Sequence, residues 1–170
     1  WLIERRLGEG GFGEVWLARH QETGDHRVYK FCFQGDRVRS LKREMTLLRI
    51  LADTLGHRSD IARLLDVRLD QPPFFIASEY TEGGNLSDWA AERGGVSTMP
   101  PGERIELLAC IADAVAAAHS VGIIHKDIKP SNILMHQESG RWRPRLADFG
   151  IGVLVDPSWA AARHITVTGF

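Results

Sequence analysis

Residues 125–132 read His-Lys-Asp-Ile-Lys-Pro-Ser-Asn, and after an insertion the chain reads Asp148-Phe149-Gly150. Each polar residue type in these two motifs has a chemistry of its own. Asp127 can accept the proton of a hydroxyl group, and Lys129, two residues on, can neutralise charge on a migrating phosphoryl group. Asn132 and Asp148 offer hard oxygen ligands of the kind that suits magnesium, an ion that keeps several waters and takes few protein ligands. Together they are the parts that a phosphoryl transfer to a hydroxyl would need.

Upstream lies a glycine string, Gly8-Glu9-Gly10-Gly11-Phe12-Gly13. Glycines let a backbone approach a polyphosphate closely and present N–H groups with no side chain in the way. Alone, the string could open a dinucleotide-binding domain or be a flexible hairpin. A dinucleotide site needs a helix straight after the glycines. Here Val15, Leu17 and Arg19 alternate with Trp16 and Ala18, which is a strand period, and residues 22–25 supply a turn before a second alternating run over 27–33. A glycine-rich hairpin clamping phosphates from above fits that order better.

Lys30 shares the inward face of its strand with Val28 and Cys32, a costly place for a cation unless it snorkels to solvent or meets a negative group. Glu44 lies three residues after Leu41 and four before Leu48, on the buried stripe of the next element. Lys30 and Glu44 therefore answer each other.

The elements that must hold these groups follow from periodicity. Residues 37–52 have helical spacing, with Leu41, Met45, Leu48 and Ala52 on one stripe. Residues 61–69 and 74–80 read as strands joined by a turn at 70–73, and Glu82-Gly83-Gly84 breaks the pattern as a connector. A short helix is predicted over 85–93, and a longer one over 101–120 with Ile105, Leu108, Ile111, Ala112 and Val115 buried. Residues 123–135 and 145–151 read as irregular or strand-like, with 136–143 an exposed hairpin tip. Of the histidines, His20, His26, His57 and His136 fall at turns or ends and are expected to be solvated, and His119 and His164 have no metal-ligand spacing.

The whole set, in this order, resembles the catalytic domain of eukaryotic-type serine/threonine protein kinases. The resemblance implies an α+β, two-lobed fold: a five-stranded antiparallel sheet with one helix in residues 1–81, and a truncated, mainly helical second lobe in 82–170. It implies ATP and Mg2+ as cofactors and a protein as phosphoryl acceptor. Catalytic roles fall to Asp127, Lys129, Lys30 and Glu44, and metal binding to Asn132 and Asp148. The nucleotide would meet Gly8, Gly10, Gly11, Phe12, Gly13 and Lys30, with Leu7, Val15 and Val28 above the adenine and Leu134 below. Ser78 would be a small gatekeeper, Glu79-Tyr80-Thr81 the hinge, and His125, Phe149, Leu48 and Leu64 a stack aligning the lobes. Lysine at position 129 is the serine/threonine form of the motif. The rival readings are a kinase-fold binding module without transfer, a small-molecule phosphotransferase of related fold, and an NAD-dependent oxidoreductase.

Two departures matter. The family usually has arginine where Lys126 stands, and lysine loses the two-pronged grip on a phosphorylated loop, although Thr166 and Thr168 remain candidate phosphoacceptors. The Ala-Pro-Glu motif and the supporting helices that the resemblance implies do not occur before Phe170, so a segment cut from a longer chain is expected, with apolar surface of 101–120 uncovered. Composition is that of a globular protein: 170 residues, 44% hydrophobic, 25% charged, net charge -1, with nothing global that favours nucleic acid or an anionic membrane. Two isolated cysteines, Cys32 and Cys110, read as buried small hydrophobes in a reducing, cytoplasmic setting. No apolar run is long enough to span a bilayer.

Overall fold

The structure is a computed structural model and describes residues 1–10, 13–33 and 38–155. Gly11, Phe12, His164, Thr166 and Thr168 lie outside the described residues. Strands β1 (Leu2–Gly10), β2 (Gly13–Arg19), β3 (His26–Cys32), β4 (Leu64–Arg68) and β5 (Phe74–Glu79) form one antiparallel sheet in the order β1-β2-β3-β5-β4. Alternation sets the two faces of β3. Val28, Lys30 and Cys32 point one way, while Tyr29 and Phe31 join Ala18, Ala77 and Phe75 in an aromatic cluster on the other. Helix α1 (Val38–Leu55) covers the first face through Val38 and Leu41, packed with Cys32 and Ile76.

Helix α1 runs three residues past its predicted end, and Ala52 is exposed rather than on the buried stripe. Leu47, Leu48, Ile50 and Leu51 are all buried because the helix is packed from two sides. β4 starts at Leu64, not at residue 61; Ile61 instead bridges to Leu146, far along the chain.

The second half holds α2 (Leu86–Ala91), α3 (Pro101–Ser120), the pair β6 (Ile123–Ile124) and β9 (Val153–Leu154), and the hairpin β7 (Ile133–Glu138) and β8 (Arg141–Leu146). Asn85 caps α2 by accepting from the Asp88 N–H at 3.0 Å, one of the orphan donors at a helix start. The hairpin corrects the sequence reading of an exposed tip over 136–143. Its strands pair down to Glu138↔Arg141, leaving a two-residue turn in which Ser139 (φ 52) and Gly140 (φ 76) are both left-handed, the form that matches strand twist. His136 is consequently buried at 7% exposure, not solvated.

Helix α3 corrects another expectation. Its buried residues are Leu107, Ala114 and Ala118, with Ile111 and Val115 packed against the core, while Ile105 and Leu108 are 67% and 65% exposed; Ala112 is exposed too. The helix is apolar on more than one side, so spacing alone could not choose the buried one. Cys32 is buried, whereas Cys110 is only half-buried beside Arg143. The main core joins Leu47, Leu48, Leu51, Ala118, Ile133, Leu146 and Phe149, residues from both halves of the chain.

Candidate active site

Lys30 stands mid-strand on β3, opposite Val15 on β2 and Ile76 on β5. Its Nζ donates to Glu44 Oε2 at 2.7 Å and to Asp148 Oδ1 at 2.8 Å. Glu44 is 5% exposed on the inner side of α1, so the carboxylate expected to need a partner has one. Burial opposes the charge on Lys30, but Glu44 and then Asp148 outweigh it and raise its pKa above the ordinary lysine value. Burial pushes the Glu44 carboxyl up, Lys30 pulls it down and Asp148 pushes it up again, with a net rise. Both members of the pair thus shift upward, which favours charge on the lysine and disfavours it on the glutamate. An ammonium within hydrogen-bond reach of two carboxyl groups decides for a charged Lys30.

Asp148 reaches this position from a left-handed backbone, φ 61, a conformation that costs a non-glycine residue and needs support from its surroundings. Phe149 supplies it: the ring is fully enclosed in the core and meets His125 with centroids 4.5 Å apart. Leu48 belongs to the same cluster as Phe149, and Leu64 packs against it.

The segment 125–132 is held by its own polar groups. His125, 1% exposed, donates from Nε2 to Ala147 O at 2.8 Å and accepts at Nδ1 from the Asp127 N–H at 3.2 Å. That pattern fixes the neutral ring, and burial lowers its pKa to match. Asp127 Oδ2 accepts from Lys129 Nζ at 2.8 Å and from Asn132 Nδ2 at 2.9 Å. The Lys129 bond, against the opposing effect of burial and with help from Asn132, holds the Asp127 carboxyl below the usual aspartate range.

Asn132 Nδ2 also donates to Asp127 O at 2.9 Å. With both N–H groups spent on Asp127, the atom Asn132 has left is Oδ1. Asp148 likewise commits Oδ1 to Lys30 and to the Gly150 N–H. Among the described residues no group bonds Asn132 Oδ1 or Asp148 Oδ2, and both residues line the same cleft. Two hard oxygens in one cleft fit magnesium. Among the described residues no cluster of three or more His, Cys, Asp or Glu could hold a metal on its own.

That cleft has a volume of about 470 Å³ and runs between the sheet and the second half of the chain. Leu7, Val15 and Val28 line it from β1, β2 and β3, and Leu134 lines it from β7; Ser78, Glu79, Tyr80 and Thr81 contribute from the end of β5 and the residues after it, and Lys30, Glu44, Asn132 and Asp148 belong to the same wall. Gly8 and Gly10 end β1 and Gly13 starts β2, outside that wall. A Cβ on Gly13 (φ 139) would run into Phe31 O, which explains a glycine there without any ligand. Asp127 and Lys129 also lie off the cleft wall and join it through Asn132.

Sequence reasoning missed Arg5, Glu82 and Asp88, which line the mouth, and Arg145, 8% exposed under Glu79. An alternating run Arg141-Trp142-Arg143-Pro144-Arg145 signals a strand with one charged face, but it does not say what that face meets.

The description "Protein kinase domain" is carried by the family model that matches residues 1–168. The chain belongs to the protein kinase domain family. Relatives of this kinase domain include the serine/threonine-protein kinase PkaA of Streptomyces coelicolor, 32% identical over 96% of this chain and 32% of the relative. The serine/threonine-protein kinase pkn2 of Myxococcus xanthus is 32% identical over 94% of this chain and 19% of its own length. CBL-interacting protein kinase 1 of Oryza sativa subsp. japonica is 33% identical over 89% and 32%. The chain thus spans about a third or less of the curated relatives it matches. Among the described residues no helix of the kinase domain is long and apolar enough to cross a membrane.

Proposed function

We propose that this kinase domain transfers the γ-phosphoryl group of ATP to serine or threonine hydroxyls of a protein. One observation carries the reading: Lys30, Glu44, Asp148 and Asn132 line one cleft together with Leu7, Val15, Val28 and Leu134, and Asn132 ties Asp127 and Lys129 to that cleft. An apolar lining beside cationic and oxygen-rich groups suits a nucleobase joined to a polyphosphate.

Lys30, held charged between two carboxylates, would bind the phosphates and keep them in line. Asn132 Oδ1 and Asp148 Oδ2 would hold the metal, which when bound neutralises charge on the phosphate oxygens. Asp127, kept ionised by Lys129 and Asn132, would orient the acceptor hydroxyl and take its proton at Oδ1, because Oδ2 is already engaged. Lys129 would meet the charge that develops on the transferred group. Most of the rate gain then comes from position and charge, with little covalent work for the protein. Likeness to the serine/threonine-protein kinases PkaA and pkn2 supports serine and threonine as acceptors.

The test is label transfer from γ-labelled ATP by the protein. Wild type should label a serine- and threonine-bearing protein, and Asp127→Asn should lower the rate at least about 10²-fold while nucleotide affinity stays within about threefold. Equal transfer by both proteins would sink the proposal.

A further inference from the structure

The connector between the two halves starts at Glu79, whose backbone ends β5. Two guanidinium groups and one imidazole from the described residues surround its carboxylate. His57 Nε2 lies 3.7 Å and Arg63 Nη1 3.6 Å from Oε1, both half-exposed and both from the sheet half. Arg145 Nη1 lies 2.9 Å from Oε2, comes from β8 in the other half, and belongs to a side chain only 10% exposed. The same guanidinium donates from Nε to Ser59 O at 2.8 Å. One planar fork therefore grips the connector and the α1–β4 link together.

We propose that Arg145 is a positioning residue that fixes the angle between the two walls of the cleft. It is the one cation around Glu79, among the described residues, that belongs to the second half. Remove it, and the carboxylate keeps only partners that move with the sheet. The fork geometry matters: a guanidinium can satisfy Glu79 and Ser59 at once, whereas an ammonium on a flexible stem can hold one of them well. Arg145 also sits three residues before Asp148, so the strand that fixes the connector is the strand that delivers Asp148 to Lys30. Loosening this joint should open the cleft first beside Glu79, because the wall at Lys30 keeps its own Lys30–Glu44–Asp148 contacts. The role in catalysis rests on the kinase reading above; the joint itself does not.

Two measurements on the full chain separate those levels. Without nucleotide, backbone hydrogen exchange at Gly83 and Gly84, whose N–H groups bond Met135 O and Thr81 O, should speed up at least about fivefold in Arg145→Met. It should do so in Glu79→Gln as well, and the double variant should show no further increase. Exchange within β1 and β2 should stay unchanged. With nucleotide, Arg145→Met should raise the KM for ATP about tenfold and change kcat less than about threefold, with Arg145→Lys intermediate.

Hinge exchange unaltered in both single variants overturns the proposal. So does exchange that rises equally across the whole chain, since that is general destabilisation. If wild type binds no nucleotide, the kinase reading fails while the exchange result still decides the role of Arg145.

Discussion

Lys30 is the residue on which the local electrostatics turn. It lies 2.7 Å from a glutamate that burial would otherwise neutralise and 2.8 Å from Asp148. Lys30→Met should remove transfer and also unbalance Glu44, which would then lose the one influence among the described residues that lowers its pKa. A carboxyl group can escape by taking up a proton, so the loss should be about 2 kcal/mol at neutral pH, below the cost of a charge that cannot neutralise. The direction with pH follows from linkage. In the variant the folded state binds more protons at Glu44 than the unfolded chain, whose glutamates titrate near 4.3, so stability falls as pH rises from there through the raised folded value. Urea unfolding at about pH 5 and about pH 8 should show a larger deficit at the higher pH. Adding Glu44→Gln should recover part of the deficit and none of the activity. A deficit independent of pH would mean that Glu44 is not the group left stranded.

At the scale of elements, the connector after β5 is seated on the β7–β8 hairpin by close backbone contact. The Gly83 N–H bonds Met135 O at 2.9 Å, and the Met135 N–H bonds Gly84 O at 2.8 Å. A Cβ on Gly83 would collide with Met135 O and the Trp142 ring, while one on Gly84 (φ 64) would meet open space. Gly83→Ala should therefore cost more in thermal unfolding than Gly84→Ala, whose backbone strain alone is worth about 1 kcal/mol. Equal losses would show that the seat yields. The same elements show what the sequence could carry. Spacing within a few residues revealed Lys30 against Glu44, and Asp127, Lys129 and Asn132 in one loop, because each demand was local. It could not reveal Arg145 and Glu79, which meet across 66 positions, or the burial of His136, which depends on how far the hairpin pairs. Nor could it choose the buried side of α3, where Ile105 and Leu108 fit a helical stripe as well as Leu107, Ala114 and Ala118 do.

Across the whole molecule, two histidines are buried where the protonated ring is disfavoured. Burial lowers the pKa of His125, and burial followed by the Arg145 charge lowers that of His136. His136 Nε2 is enclosed with no hydrogen-bond partner among the described residues. The unfolded chain protonates both near pH 6.5, before the folded protein does, so stability present above that pH is lost as pH falls toward the depressed values. Denaturant midpoints should be lower at about pH 5.5 than at about pH 7.5, and His136→Gln should flatten that slope. Midpoints that do not change with pH would contradict this account.

The halves also share backbone hydrogen bonds: Leu146 N–H to Asp60 O at 2.8 Å and Ala62 N–H to Leu146 O at 2.9 Å. A rotation that separated the walls at this point would break both bonds, whereas a rotation about an axis through Leu146 breaks neither. Displacement must then grow with distance from that axis, so a few degrees of tilt leave the region of Phe149 nearly still and sweep the β1–β2 end through the longest arc. The amplitude of access is set by the length of the strands, and the two hydrogen bonds at Leu146 set where the axis lies.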